Sequence, residues 1–302
     1  QRSFPIAANN GPSVAMSPSG RVLVLGGSNA TRLQFYDTAT GVELVPGIVQ
    51  HKSKTPLGHG PLTDADVRRI AALPANEQIE EVRKELKKRN PDFDGALTPT
   101  IENDVVTGLE FLTDQITDIS PLRALPQLST LNCRNNGVRV GKVSDLRPLQ
   151  GMRLVKLTLS VNPVSDLTPI KGMPLTDLHI DTSHVADLSP LTDMPLKVLN
   201  CSYTNVTSLT PLKDMPLTIL WCNNTDISDL SPLEDKPLEW ITLQGTKVMD
   251  ISALKGMPLM QIYLDYVPAR HRDILRSFPR LQKINDLPPA EFWQKFEATP
   301  NE

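Results

Sequence analysis

The chain has 302 residues, of which 39% are apolar and only 5% aromatic, so leucine and smaller aliphatics must supply its core. A net charge of −3 gives no basic footprint, which argues against nucleic acid as a partner. No apolar run approaches the roughly 20 residues of a membrane helix, so no membrane span is expected.

The first residues, "QRSFPIAANNGPSVAMSPSG", do not read as a secretory signal; they could follow a cleaved one, or the chain could be part of a longer protein. Residues 12–45 contain two strand-like runs, Val22–Leu25 and Arg32–Tyr36, joined by a turn at Gly26-Gly27. That turn lacks the Gly-Lys-Ser/Thr of a phosphate loop. Ser17-Pro18-Ser19-Gly20 precedes the first run and Asp37-Thr38-Ala39-Thr40-Gly41 follows the second. The segment resembles one WD-type propeller repeat, with Tyr36-Asp37 where the Trp-Asp pair would stand. The resemblance covers about thirty residues, one blade. It implies a hairpin packed beside the rest, or the last blade of a longer parent. A linker, 46–61, closes this N-terminal β segment at residue 61. Residues 63–90 read as two helices broken at Pro74, with Ile79, Val82 and Leu86 on one apolar stripe.

From residue 101 the chain repeats. "GMRL", "GMPL", "DMPL", "DMPL", "DKPL" and "GMPL" begin at 151, 172, 193, 214, 235 and 256, 21 residues apart. Between them run "SDLTPI", "ADLSPL", "TSLTPL", "SDLSPL" and "MDISAL". Each unit opens with apolar residues at period two, as in Leu175, Leu178 and Ile180, which reads as a short strand with one buried face. The hydroxyl residues of Thr168-Pro169, Ser189-Pro190, Thr210-Pro211 and Ser231-Pro232 are expected to N-cap a helical turn with proline first. Gly172, Asp193, Asp214, Asp235 and Gly256 should stop that turn in the left-handed region.

One strand, one corner and one helical turn per unit make a rung of a repeat solenoid. The pattern resembles the leucine-rich repeat (LRR), L-x-x-L-x-L-x-x-N-x-L. Its corner Asn appears once, as Asn162, while Ser183, Thr204, Thr225 and Thr246 stand in its place elsewhere. Weaker copies at 106–111, 128–133, 259–264 and 281–285 bring the count to nine rungs. At about 4.8 Å per strand the parallel sheet should run roughly 38 Å. The expected fold is an α/β-type LRR horseshoe: 1–61 the β segment and linker, 62–100 a helical N-cap, 101–268 the array, and 269–302 a worn last rung with a helical C-cap. Helices are expected at 269–277 and 289–298. The order of segments resembles the C-terminal part of large multidomain bacterial proteins in which a repeat array follows propeller and kinase segments. That resemblance implies a scaffold or sensor and assigns no reaction.

The chemistry is sparse. His271-Arg272-Asp273 matches a kinase tripeptide, but no Asn follows at the required spacing and no Asp-Phe-Gly exists. No G-x-S-x-G, His-x-x-x-His or Cys-x-x-Cys occurs. Asn29, Asn205 and Asn224 open sequons of a kind that is common by chance. Three cysteines make no disulfide framework; Cys133, Cys201 and Cys222 all take an inward rung position, with a Cys201–Cys222 bridge conceivable. Reduced thiols favour a cytoplasmic setting, a processed secreted or periplasmic form being the alternative. Asp145, Asp166, Asp187, Asp229 and Asp250 form a column that reads either as a cation ladder or, preferably, as a set of carboxylates each bonding its own turn.

The concave face carries the functional expectation. Counting from the first Leu of a rung, the second, fourth and sixth following residues should point off the sheet. They place Val198, Ile219, Trp221, Trp240 and Tyr263 in one apolar patch, rimmed by Asp177, His179, Asn200 and Asp265. Asp177, His179 and Asp181 lie in a row, but alternate residues on a strand are nearly 7 Å apart, too far to share one metal without further ligands. No metal or cofactor is expected. An exposed aromatic patch with a polar rim suggests a surface for a protein or peptide. The alternatives are a glycan- or small-molecule-sensing module, with Trp221 and Trp240 stacking on a flat ligand, and the regulatory tail of a kinase whose catalytic domain lies outside this chain. Either way the chain itself is expected to be no enzyme.

Overall fold

The computed structural model describes residues 60, 62–135 and 140–297, and the backbone of three strands within 1–58. The chain divides into two compact units, 1–58 and 59–302.

In the first unit, β1 (Ser13–Met16), β2 (Val22–Gly26) and β3 (Gln34–Asp37) form an antiparallel sheet in that order. Leu23 pairs with Tyr36 and Val24 with Phe35. The sequence pattern shows two of these strands; β1 is four residues long, too short for periodicity to separate from loop until it pairs with β2. The other residues of the propeller-like resemblance lie outside the described residues.

The second unit opens with α1 (Asp64–Ala71) and α2 (Ala75–Arg89). Thr63 and Asp66 form a reciprocal capping box: the Asp66 N–H donates to the Thr63 hydroxyl and the Thr63 N–H to the Asp66 carboxylate. Pro74, lacking an N–H and fixed in φ, separates the helices. Ile79, Val82 and Leu86 are buried in a core continuous with that of the rungs. Asn90, just past α2, ties the helix to the first rung. Its amide donates to the carbonyls of Leu86 and Asp118, and its oxygen accepts from the backbone N–H of Thr117 and Asp118.

A ten-stranded sheet follows. It begins with β4 (Thr98–Glu102), antiparallel to β5 (Val105–Leu112). From β5 onward every neighbour is parallel: β6 (Thr130–Arg134), β7 (Lys156–Thr158), β8 (Asp177–His179), β9 (Val198–Asn200), β10 (Ile219–Trp221), β11 (Trp240–Thr242), β12 (Gln261–Tyr263) and β13 (Lys283–Ile284). Residues 21 apart sit side by side, as in Asp177↔Val198, Val198↔Ile219 and Ile219↔Trp240. The constant offset therefore stacks like positions into columns. Leu157, Leu178, Leu199, Leu220, Ile241 and Ile262 form one buried column, and Cys133, Leu159, Ile180, Cys201, Cys222 and Leu243 another. The three cysteines are free and buried. Burial pushes the Cys201 thiol up to about 12, and it raises Cys133 and Cys222 as well, so they act as small hydrophobes. No disulfide joins Cys201 and Cys222.

The turn is a five-residue 3-10 segment in the first rung (Ser120–Ala124) and a three-residue one in those that follow, as at Thr168–Ile170, Ser189–Leu191 and Ser231–Leu233. The hydroxyl residue does not cap it. Leucine occupies the cap position and the hydroxyl residue is already the first residue of the turn, with proline second. The free N–H of that residue donates instead to the aspartate two residues back: Asp166, Asp187, Asp229 and Asp250 each accept at 2.8–2.9 Å. Asp145 does the same for Arg147 and Asp118 for Ser120, and Ser208 replaces the carboxylate in its own rung. The aspartate column is thus a stack of local turn locks. These hydrogen bonds hold the Asp187 and Asp229 carboxyls below the usual range.

Two left-handed positions shape each rung. One closes the turn: Gly151, Gly172, Asp193, Asp235 and Gly256 have positive φ, whereas Asp214, expected among them, does not. The other precedes the corner, where Val161, Thr182, Tyr203, Asn224 and Gly245 lie at φ between 52° and 67°. At the corner itself, Asn162 is fully buried. Its amide donates to the carbonyls of Cys133, Leu159 and Ser160, and its oxygen accepts from the Val143 N–H. The Thr204, Thr225 and Thr246 hydroxyls each donate to the carbonyl three residues back, and that of Thr246 also accepts from the Val248 N–H.

Past β12, α3 (Pro268–Arg276) and α4 (Pro289–Glu297) gather rings around Tyr266. Phe292, Phe296 and Trp293 stand 4.9, 5.2 and 6.2 Å from it. Among the described residues no helix is long and apolar enough to cross a membrane.

Candidate binding face

Strands β8 to β12 carry the residues singled out for binding. Alternation puts Leu178, Leu199, Leu220, Ile241 and Ile262 inward, so the residues on either side of each point off the concave surface. Asp177 and His179, Val198 and Asn200, Ile219 and Trp221, and Trp240 flank those buried positions, as do Gln261 and Tyr263; all are partly buried.

The rings form a row along the solenoid axis. His179 and Trp221 lie 5.7 Å apart, Trp221 and Trp240 5.1 Å in an edge-to-face arrangement, and Trp240 and Tyr263 6.4 Å. His179 was expected at the rim, yet its ring reaches past the Asn200 strand to the Trp221 ring and becomes the fourth member of the row. The tryptophans do not stand free in solvent as the sequence suggests. They lean on one another edge-on, because ring edges are electropositive and faces electronegative. Tyr263 is fixed at its far end, its hydroxyl donating to Asp286 at 2.8 Å. Burial and that carboxylate push the Tyr263 phenol up.

The polar border is held by hydrogen bonds between rungs. Asp181 accepts from Ser160 at 2.6 Å and from the Asn200 amide at 2.9 Å. Asp265 accepts from the Gly245 N–H at 2.7 Å. Asp177 accepts from Thr176 at 2.6 Å and stands 4.0 Å from the Lys156 ammonium. With their oxygens so engaged, Asp177 and Asp181 do not converge with His179, and among the described residues no group of three or more His, Cys, Asp or Glu is placed to hold a metal.

Two residues that the sequence did not single out shape this face. Thr242 pairs in register with Trp221 on one side and Tyr263 on the other, and is only 5% exposed. Its hydroxyl has no hydrogen-bond partner, and neither does the buried indole N–H of Trp240 on the same strand. Asp286 lies after the worn last strand and comes to Tyr263 only through the stacking. Thr242 could have been found by its column, but nothing in a short polar side chain marks it there.

The aromatic rings of α4 contact Tyr266 and leave Trp221 and Trp240 to each other. The kinase-like tripeptide lies on α3, where His271 is 2% exposed and its Nδ1 accepts from the Val267 N–H, while Asp273 faces outward.

A parallel sheet of short strands in 21-residue register, with a 3-10 turn and a polar corner in each repeat, defines a repeat solenoid of the leucine-rich-repeat type. No family model and no curated protein matches the chain. Solved structures do. The chain is similar to an internalin (InlF) from Listeria monocytogenes, at 19% identity over 71% of this chain and 72% of that one, with a TM-score of 0.49. It is also similar to the functional domain of InlJ from Listeria monocytogenes, which includes a cysteine ladder: 18% identity, 59% and 48% coverage, TM-score 0.35. A third is the Leptospira interrogans LRR protein LIC12759, at 19% identity, 56% and 57% coverage and a TM-score of 0.37. The chain spans about half the length of the latter two.

Proposed function

We propose that this chain is a non-enzymatic interaction module that binds a protein or peptide on its concave face, through Trp221, Trp240, Tyr263, Ile219 and Val198, with His179, Asn200, Asp177 and Asp265 around them. The observation that supports this best is the continuous row of four rings, partly open, flanked by Val198 and Ile219 and bordered by the polar Asp177, Asn200 and Gln261. Aromatic anchors inside a polar border are the composition of binding hot spots. In this reading residues 62–100 and 269–302 close the two ends of the array, which a solenoid needs for solubility. The chain would serve as the scaffold part of a larger assembly, as its resemblance to multidomain proteins suggests.

The test is selection from a random peptide display library on the full chain, repeated with Trp221→Ala/Trp240→Ala. Loss of two hot-spot side chains at about 2 kcal/mol or more apiece should weaken the selected peptides at least several hundredfold. Peptides that bind both proteins equally would move the site off this face. A carbohydrate array run in parallel, positive where the peptide library is negative, would replace the protein reading with glycan sensing.

A further inference from the structure

Resting on that reading, the geometry of three neighbouring strands points to a particular kind of peptide. We propose that the Trp221–Trp240–Tyr263 face receives a proline-rich segment in the polyproline II conformation, running along the solenoid axis across the strands.

The spacing comes first. Trp221 and Tyr263 occupy equivalent positions on strands β10 and β12, with Thr242 between them in register. Two parallel-strand spacings set their backbones about 9.6 Å apart. A polyproline II helix repeats every three residues, about 9.3 Å. Prolines three apart therefore meet the two outer rings in step.

Hydrogen bonding comes second. A polyproline II backbone makes no internal hydrogen bonds, so its carbonyls are free acceptors. The face holds two unused donors between the outer rings: the Trp240 indole N–H and the Thr242 hydroxyl, both buried without a partner. Leaving such groups buried and unpaired is costly, and an arriving carbonyl removes that cost. The Trp240 ring, seated between Trp221 and Tyr263, must swing outward to present its N–H. A flat apolar ligand would satisfy neither donor.

Charge adds a third feature. Asp265 and Asp286 stand at the Tyr263 end, Asp286 on the Tyr263 hydroxyl itself, and Asp177 and Asp181 stand at the His179 end. A basic residue flanking the prolines therefore meets a pair of carboxylates at either end.

The experiment is calorimetric titration of the full chain with a synthetic peptide of repeated Pro-Pro-Leu triplets ending in arginine, against a control with glycine at every proline. Saturable binding of the first, at least tenfold tighter than the control, is expected. Trp240→Phe keeps an aromatic ring, though a smaller one, and loses the N–H, and should weaken binding tenfold or more. Equal binding of the glycine control overturns the proposal, as does unchanged affinity in Trp240→Phe. If the proline peptide fails while library-selected peptides without proline bind and are lost in Trp221→Ala/Trp240→Ala, this inference falls and the interaction reading stands. If no peptide of either kind uses the face, both fall.

Discussion

The ammonium of Lys236 donates to the carbonyl of Met215, one rung back, at 2.8 Å, and also to that of Lys213 at 2.5 Å. Lys236 replaces a methionine: Met173, Met194, Met215 and Met257 fill the same column and are buried. Its own rung neighbour bends to meet it. Lys213 is helical at ψ −42°, where the equivalent Lys171, Thr192 and Glu234 lie between 133° and 139°. This is why Asp214 alone among its column escapes the left-handed conformation. Burial holds the Lys236 ammonium below the usual lysine range. Lys236→Met should let Asp214 return to the column geometry and stabilise the chain by about 1 kcal/mol, since a buried charge is exchanged for a well-packed apolar side chain. Urea denaturation measures it; a loss of stability would show that the carbonyl bonds outweigh the burial cost.

Val161 and Thr182, both β-branched, occupy a left-handed corner that Asn224 and Gly245 occupy two and three rungs beyond Thr182. A β-branched residue at positive φ is strained by about 1–3 kcal/mol. Val161→Asn and Thr182→Asn should each raise stability by about 1 kcal/mol, and because the two corners lie on adjacent rungs the double variant should depart from simple additivity. Thermal melts of the two single variants and the double variant decide this.

Asn162 makes four hydrogen bonds where Thr204 makes one. Truncating it leaves several buried backbone groups unpaired, so Asn162→Ala should cost about 3 kcal/mol, against about 1 kcal/mol for Thr204→Ala. Hydrogen exchange should show lost protection concentrated at Val143 and the β6–β7 rungs. Equal costs for the two variants would mean that the corner is held by packing alone.

His271 gives the C-terminal helices a pH dependence. Burial is the main cause that depresses its pKa below 6.5, helped by Arg270 and opposed by the nearby Met249 backbone and Asp250. The folded chain therefore binds fewer protons than the unfolded chain between the depressed value and 6.5. Stability from this group is full above pH 6.5 and is lost as pH falls through the folded value. Protonation of Nδ1 also turns the acceptor for the Val267 N–H into a donor. Melting temperature followed from pH 8 to pH 5 should fall in the wild type and fall less in His271→Phe. Parallel profiles would remove His271 as the cause.

The repeat made most of the array readable in advance. An offset of 21 residues is enough to align like positions into columns, because a parallel strand can pair with its neighbour only in register. The inward leucines and cysteines, the local role of the aspartate column and the outward placement of Trp221, Trp240 and Tyr263 all follow from that offset and the period of two. The first residue of the turn was misassigned, because Ser-Pro and Thr-Pro signal an α-helical start, whereas three residues close only a 3-10 turn, and its free N–H reaches the carboxylate two residues back.

What the sequence alone determined, then, was the rung and which side chains share a face, since both are set by backbone periodicity within one strand and its copies. Ring orientations, the reach of His179 past Asn200, the unpaired donors of Trp240 and Thr242, and the bent turn at Lys213 were decided only by the tertiary structure. Each depends on side chains from different rungs competing for the same space and the same hydrogen bonds, and no single repeat contains both partners.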